Sequence, residues 1–460
     1  MEIKQIYTPG LAQLSYVVGG QNACFVIDPV RNIDQYIQIA NSLHLPIAGI
    51  FETHLHADFV SGHLELAEKT GAPIYLAKNA KVHYPHQGLE HGEELMLDVF
   101  SVKLLNTPGH TPESSVFVFA DTRRGPFSIA VFSGDTLFVG DVGRPDLFPD
   151  LKECLASSLY DSLRIIENLG DHLEVYPGHG AGSLCGKRLS NKLTSTIGIE
   201  RMYNEPMKLH PKEVFIETLL KDMPVAPDHF SRCSAINRQG PAAVSSLPKI
   251  KPLSPAQFDK LANEGHLIVD TRSFHHFASA HIENSYAISV KGNFPTFAGW
   301  ILPPDKPILL VCSNENELTF AQNQLRNVGL DNIVGYLKSG IDAWIDDARH
   351  TAHYENITVH ELKRQLEEEK ILLVDTRNAE EYHAAHIQGA VSIPTHDMRT
   401  RYAELQDESR PLAFICSSGY RSLTALSLFL QHVKDKKVYN VLGAMPAWTA
   451  VNYPTTTGLS

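Results

Sequence analysis

Short apolar runs recur along this chain, and several end on a polar residue capable of chemistry. Val102-Lys103-Leu104-Leu105, Ile129-Ala130-Val131-Phe132 and Leu173-Glu174-Val175 lead into His110, Asp135 and His179, each through a nearby glycine. Another apolar run ends in Thr53-His54-Leu55-His56-Ala57-Asp58-Phe59. Runs this short, bounded by turn residues, predict buried strands. Loops at strand ends on one sheet edge can converge, and a rigid sheet then holds their side chains.

The C-terminal half carries the same kind of pattern twice. Leu267-Ile268-Val269-Asp270-Thr271-Arg272 is matched by Leu372-Leu373-Val374-Asp375-Thr376-Arg377, and Ala280-His281-Ile282 by Ala385-His386-Ile387, both 105 residues on. Leu309-Leu310-Val311-Cys312 is matched by Ala413-Phe414-Ile415-Cys416, and Ala343-Trp344 by Ala447-Trp448, both 104 residues on. Ordered matches at one offset indicate duplicated domains of about 100 residues. Each copy opens on a helix N-cap signal, Ser254-Pro255-Ala256-Gln257 and Thr358-Val359-His360-Glu361. Apolar strands alternating with helices predict an α/β fold with parallel sheets. The small, proline-punctuated stretch from Gln239-Gly240-Pro241 to Lys251-Pro252 reads as a linker. The expected domains are residues 1–245, 252–350 and 355–460.

Composition narrows the partners. A chain of 460 residues with 43% hydrophobic and 20% charged residues is of ordinary globular type and too long for one core. Its net charge of -12 argues against nucleic acid or an anionic membrane surface. No apolar run reaches the ~20 residues of a membrane span. The start, Met1-Glu2-Ile3-Lys4-Gln5, lacks the build of a signal peptide. Six cysteines (24, 154, 185, 233, 312, 416) with no CxxC pair read as reduced thiols of a cytoplasmic protein.

The last apolar strand runs into Cys416-Ser417-Ser418-Gly419-Tyr420-Arg421-Ser422, followed by an amphipathic helix from Leu423. A cysteine in a tight loop at a helix N-terminus is primed as a thiolate. Loop amides and the helix dipole favour an anion there. Gly419 permits the turn, and Arg421 adds a fixed positive charge. Asp-Thr-Arg, Ala-His-Ile-Gln-Gly-Ala and Cys-x-x-Gly-x-Arg together resemble the rhodanese (sulfurtransferase) domain over residues 355–455. The resemblance implies that Cys416 carries a persulfide and passes its outer sulfur to an acceptor, with Ser417, Ser418, Gly419 and Arg421 forming the cradle. In the middle copy the loop reads Cys312-Ser313-Asn314-Glu315-Asn316-Glu317. The glycine is lost, and carboxylates beside a thiol raise its pKa and repel anionic sulfur. That copy is expected to be an inactive rhodanese-like domain with a structural role.

Two histidines and a carboxylate within residues 54–58 have the composition of a metal site. His-x-His-x-Asp, Pro-Gly-His-Thr, Gly-Asp-Thr and Pro-Gly-His-Gly resemble the metallo-β-lactamase fold over residues 1–240, in its glyoxalase II and persulfide dioxygenase branches. The resemblance implies an αββα sandwich with the metal at one rim. In the hydrolase branch one zinc takes His54, His56 and His110, and another takes Asp58, the next residue and His179, with Asp135 bridging. That next residue is Phe59, which has no donor atom. The dioxygenase branch implies one Fe(II) per chain on His54, His110 and Asp135, a two-histidine, one-carboxylate set with open positions for O2 and a persulfide. His56, Asp58 and His179 would then orient ligands or water around the metal. Arg144, Cys185, Lys187 and Arg188 are candidates for binding a carboxylate-bearing thiol.

The combination resembles persulfide dioxygenase–rhodanese fusions. The expected reaction oxidises a thiol persulfide, glutathione persulfide by family resemblance, to sulfite and thiol, coupled to sulfur transfer between persulfide, sulfite and thiosulfate. A zinc thioester hydrolase fused to a sulfurtransferase is one alternative, and a non-enzymatic sulfur carrier another. The relatives of the fold imply a homo-oligomer, dimer or tetramer.

Overall fold

The computed structural model describes every residue except 222, 459 and 460. The chain divides into two compact units, Met1–Leu247 with Arg326–Gly329, and Pro248–Leu325 with Leu330–Ser460.

In the first unit two six-stranded sheets face each other. One runs Glu2–Thr8, Gln13–Gly19, Cys24–Ile27, Ile47–Phe51, Ile74–Ala77, Gln87–Leu89 in spatial order. The other runs Ser195–Thr196, Glu174–Pro177, Ser128–Gly134, Ser115–Asp121, Phe100–Asn106, Glu94–Leu97. Strand alternation sorts the side chains. Phe117 and Phe119 join Tyr16, Phe25, Phe51, Phe100 and Phe132 between the sheets. Val116 and Val118 point the other way, onto Leu159, Leu163 and Phe215 of helices Lys152–Glu167 and Lys212–Leu220. Strand Ser115–Asp121 is buried along its whole length for that reason. Leu155, Leu159, Leu163 and Ile166 form the apolar stripe that seats the longer helix. The result is the expected αββα layering.

The second unit holds two five-stranded sheets, every neighbouring pair parallel. Their spatial orders are the same. Lys251–Leu253, Ile333–Leu337, Ile308–Val311, Leu267–Asp270, Tyr286–Ala287 in one corresponds to Glu355–Ile357, Val438–Val441, Leu412–Ile415, Leu372–Asp375, Val391–Ser392 in the other. Each sheet has its own core, around Phe258 and Trp344 or around Leu362 and Trp448. Ser254 and Thr358 do cap their helices, accepting from the backbone N–H of Gln257 and Glu361. The first repeat also covers the helix that follows Cys416. Thr424 Oγ1 donates to the Ala287 carbonyl (2.8 Å), and Ala287 N donates to Ser427 Oγ (3.0 Å).

Candidate metal centre and sulfur-transfer loop

His54, His110 and Asp135 come together at the strand-end rim of the first unit, with donor atoms within 4.8 Å of one another. His54 Nδ1 lies 2.9 Å from Thr53 Oγ1, whose proton goes to Asp28 Oδ2 (2.8 Å). His110 Nδ1 donates to the Arg144 carbonyl (2.9 Å). Both Nδ1 atoms therefore carry the proton, and both Nε2 lone pairs face the centre. Asp135 Oδ1 accepts from His179 Nδ1 (2.8 Å), which leaves Oδ2. The atoms His54 Nε2, His110 Nε2 and Asp135 Oδ2 are buried and have no hydrogen-bond partner. Oδ2 lies 3.4 Å from His110 Nε2 and 3.9 Å from His54 Nε2. Three orphaned donors aimed at one point are what an ion would satisfy. Burial lowers the pKa of both histidines, so they are neutral and ready to ligate. Burial alone would raise Asp135, but His179, His54 and His110 hold it well below the usual carboxylate range.

Close packing of glycine fixes this geometry. A Cβ on Gly178 would stand 2.4 Å from Asp135 Oδ1, and one on Gly134 (φ +49°) 2.4 Å from Thr53 Oγ1. The glycines ahead of Asp135 and His179 are spacers that let two loops meet.

The other residues of the opening motif are placed differently. His56 directs its Nε2 at Asp28 Oδ1 (3.2 Å) and Glu52 Oε2 (3.5 Å), while its Nδ1 is buried without a hydrogen-bond partner and its ring stands 4.2 Å from that of His54. Phe59 is fully buried, its ring 4.3 Å from that of His56. His179 is clamped between carboxylates, Nδ1 on Asp135 and Nε2 2.8 Å from Asp58 Oδ2. Burial would lower its pKa, but Asp135 and Asp58 raise it well above the ordinary value. Cys185 Sγ lies within 4.8 Å of donors of Asp58 and His179 and packs with Ala57, Phe138 and Phe230 in an apolar wall. Burial pushes its thiol pKa up, reinforced by Asp58 and Asp135.

Arg144 is engaged by its own loop. Its guanidinium donates to both Asp146 oxygens (2.7 Å each), to the Leu184 carbonyl (3.1 Å) and to the Pro224 carbonyl (2.6 Å). It is 1% exposed and braces the loop whose carbonyl orients His110. Lys187 and Arg188 anchor through their backbone N–H groups on Asp141 Oδ2, Lys187 Nζ donates to the Lys221 carbonyl, and Arg188 is exposed.

In the second unit Cys416 Sγ accepts from the backbone N–H of Gly419 (3.0 Å) and Ser418 (3.4 Å) at the start of helix Tyr420–His432. Gly419 has φ +88°, the left-handed value the turn requires. Arg421 is not an isolated charge. It makes a bidentate pair with Glu381 (2.6 and 2.7 Å) and donates to Ser417 Oγ (2.7 Å). Burial would raise the Glu381 pKa, but Arg421 and Ser417 bring it down to about 2. Sequence reading missed Glu381, because Asn378-x-x-Glu381 also serves as a helix capping box. In the first repeat, burial pushes the Cys312 thiol up to about 12, with Glu317 and Asp270 adding to the rise. Glu317 accepts from Thr271 Oγ1.

Comparison with known proteins agrees with this division. A model described as Metallo-beta-lactamase superfamily matches residues 8–179. A model described as Rhodanese-like domain matches 254–347 and 358–451. A solved metallo-beta-lactamase from Staphylococcus aureus subsp. aureus COL is 33% identical, at a TM-score of 0.66, over 74% of this chain and 98% of that one. The chain belongs to the metallo-beta-lactamase superfamily. This superfamily member carries two rhodanese-like domains behind its metal-binding fold. A probable metallo-hydrolase, YqgX of Bacillus subtilis (strain 168), is 31% identical over 189 residues, 36% of this chain and 84% of that protein. A hydroxyacylglutathione hydrolase of Pelagibacter ubique (strain HTCC1062) is 28% identical over 227 residues, 48% of this chain and 85% of that protein.

Proposed function

We propose that this superfamily member is an iron-dependent persulfide dioxygenase joined to a sulfurtransferase. The observation that carries the reading is the donor set: two neutral imidazoles and one carboxylate oxygen orphaned together, with His56 Nε2 directed at Asp28 and Glu52 and Phe59 in place of a further ligand. That set fits a single Fe(II) with open positions. When bound, iron would supply the site at which O2 and the outer persulfide sulfur react. The overall change is RSSH + O2 + H2O → RSH + SO3²⁻ + 2H⁺. His54, His110 and Asp135 hold the metal, and Thr53, the Arg144 carbonyl and His179 orient those ligands. Ala57, Phe138, Cys185 and Phe230 form an apolar cluster that meets His179 through Phe138 and Cys185.

At Cys416 the thiolate attacks the outer sulfur of a persulfide. The S–S bond breaks and the donor thiolate leaves. The amides of Ser418 and Gly419 hold the sulfur on Cys416. Sulfite then attacks that sulfur, giving thiosulfate and restoring the thiolate. Sulfane sulfur and sulfite are thus shared between the two chemistries, and joining them in one chain raises effective concentration. None of the six cysteines is joined in a disulfide, in keeping with a reducing, cytoplasmic setting.

The similarity to a hydroxyacylglutathione hydrolase favours a second reading, a two-zinc thioester hydrolase. Purified protein assayed with a glutathione thioester and with glutathione persulfide separates them. Iron content with persulfide turnover is expected. Zinc bound between Asp58 and His179, with thioester hydrolysis and no persulfide turnover, would contradict the dioxygenase.

A further inference from the structure

A second buried cluster lies behind His54. His56 Nε2 is 3.2 Å from Asp28 Oδ1 and 3.5 Å from Glu52 Oε2, and His63 Nδ1 is 3.6 Å from Glu52 Oε1. Asp28, Glu52, His56 and His63 are 1%, 2%, 0% and 1% exposed. Neither ring nitrogen of His63 has a hydrogen-bond partner, and neither does Tyr84 Oη, whose ring stands 4.8 Å from that of His63.

The spacing is informative. Separations of 3.5 and 3.6 Å are long for N–H···O bonds. Donors about 2.1 Å from a common ion lie roughly 3.0–3.5 Å from one another. The metal trio shows the same kind of spacing, 3.4 and 3.9 Å, around its orphaned atoms. Two carboxylates buried side by side also call for compensating positive charge, which an ion or a proton on His56 supplies. Their remaining valences are anchored as those of metal ligands are. Thr53 N (2.7 Å) and Thr53 Oγ1 (2.8 Å) donate to Asp28, and Ser61 Oγ (2.7 Å) donates to Glu52.

We propose that Asp28, Glu52 and His56 hold a second divalent transition-metal ion, with His63 positioning Glu52 through its other oxygen. Carboxylate and imidazole donors suit Zn²⁺, Fe²⁺ or Mn²⁺. This ion takes His56 Nε2, next to a trio that supplies two histidines and one carboxylate of its own. The site stands on its own donors, whatever metal the trio holds and whatever reaction follows.

The test loads the metal-stripped full chain with Zn²⁺, counts zinc per chain after desalting, and locates it in crystals by anomalous diffraction. Two zincs per chain are expected, one peak within the trio and one among Asp28, Glu52 and His56. Glu52→Gln is expected to drop the count from two to one and keep the trio's peak. His63→Ala is expected to weaken the second zinc about tenfold or more. One zinc per wild-type chain, on the trio alone, overturns the proposal and assigns the compensating charge to a proton on His56. A second peak at Asp58, His179 and Cys185 overturns it equally. If Glu52→Gln does not fold, the wild-type map decides. Both expected peaks, with no O2 uptake on persulfide by the iron-loaded chain, would defeat the dioxygenase and leave this site standing.

Discussion

Single side chains separate the two cysteine loops. Cys416 has two backbone N–H donors on its sulfur, whereas the Cys312 thiol is pushed up to about 12 by burial and nearby carboxylates. Cys416→Ala should therefore abolish thiosulfate formation from persulfide and sulfite, and Cys312→Ala should leave its rate unchanged. Glu381 sets how much of Arg421's charge an anion meets. Glu381→Gln should lower KM for thiosulfate roughly fivefold, the equivalent of about 1 kcal/mol for a partly exposed ion pair. Its carboxyl is depressed from 4.5 to about 2. The stabilisation this pair gives is full above the ordinary value and fades only as pH falls through about 2. KM for thiosulfate should then show no break from this group between pH 5 and 8, and a carboxylate-like break near pH 5 would contradict the pairing.

At the scale of elements, the three side chains that converge at the rim were legible because each follows a short strand within a compact motif. His54, His110 and Asp135 could be named from the chain because the sheet only has to bring three loops together. What the chain hid were partnerships made by the fold. Asp28 and Glu52 are acids flanking ordinary strands, and only the parallel pairing of Cys24–Ile27 with Ile47–Phe51 sets them side by side. Arg144 read as an available cation, yet Asp146, two residues on, takes two of its nitrogens. Glu381 was concealed by its second role as a helix cap. The strand-end glycines carry a prediction of their own. Gly178→Ala puts a Cβ 2.4 Å from Asp135 Oδ1 and 3.1 Å from the Gly134 carbonyl carbon. Metal affinity at the trio, measured by competition with a chelator, should fall ~10–100-fold, while thermal unfolding of the second unit stays as in the wild type.

For the whole molecule, the duplication gives the first repeat a structural task. It covers the helix behind Cys416 through Ala287, Thr424 and Ser427. The two proposed chemistries should be separable by mutation. In Cys416→Ala, O2 uptake should continue and sulfite should accumulate in place of thiosulfate, as followed by chromatography of the sulfur products. The central claim is an O2-consuming centre built on two histidines and one carboxylate. It is tested most directly by O2 uptake when glutathione persulfide is added to the iron-loaded full chain. The account predicts one O2 consumed per persulfide oxidised, and a loss of at least ~100-fold in His110→Ala, about 3 kcal/mol of barrier. No O2 uptake by the iron-loaded wild type, or an undiminished rate in His110→Ala, would contradict it.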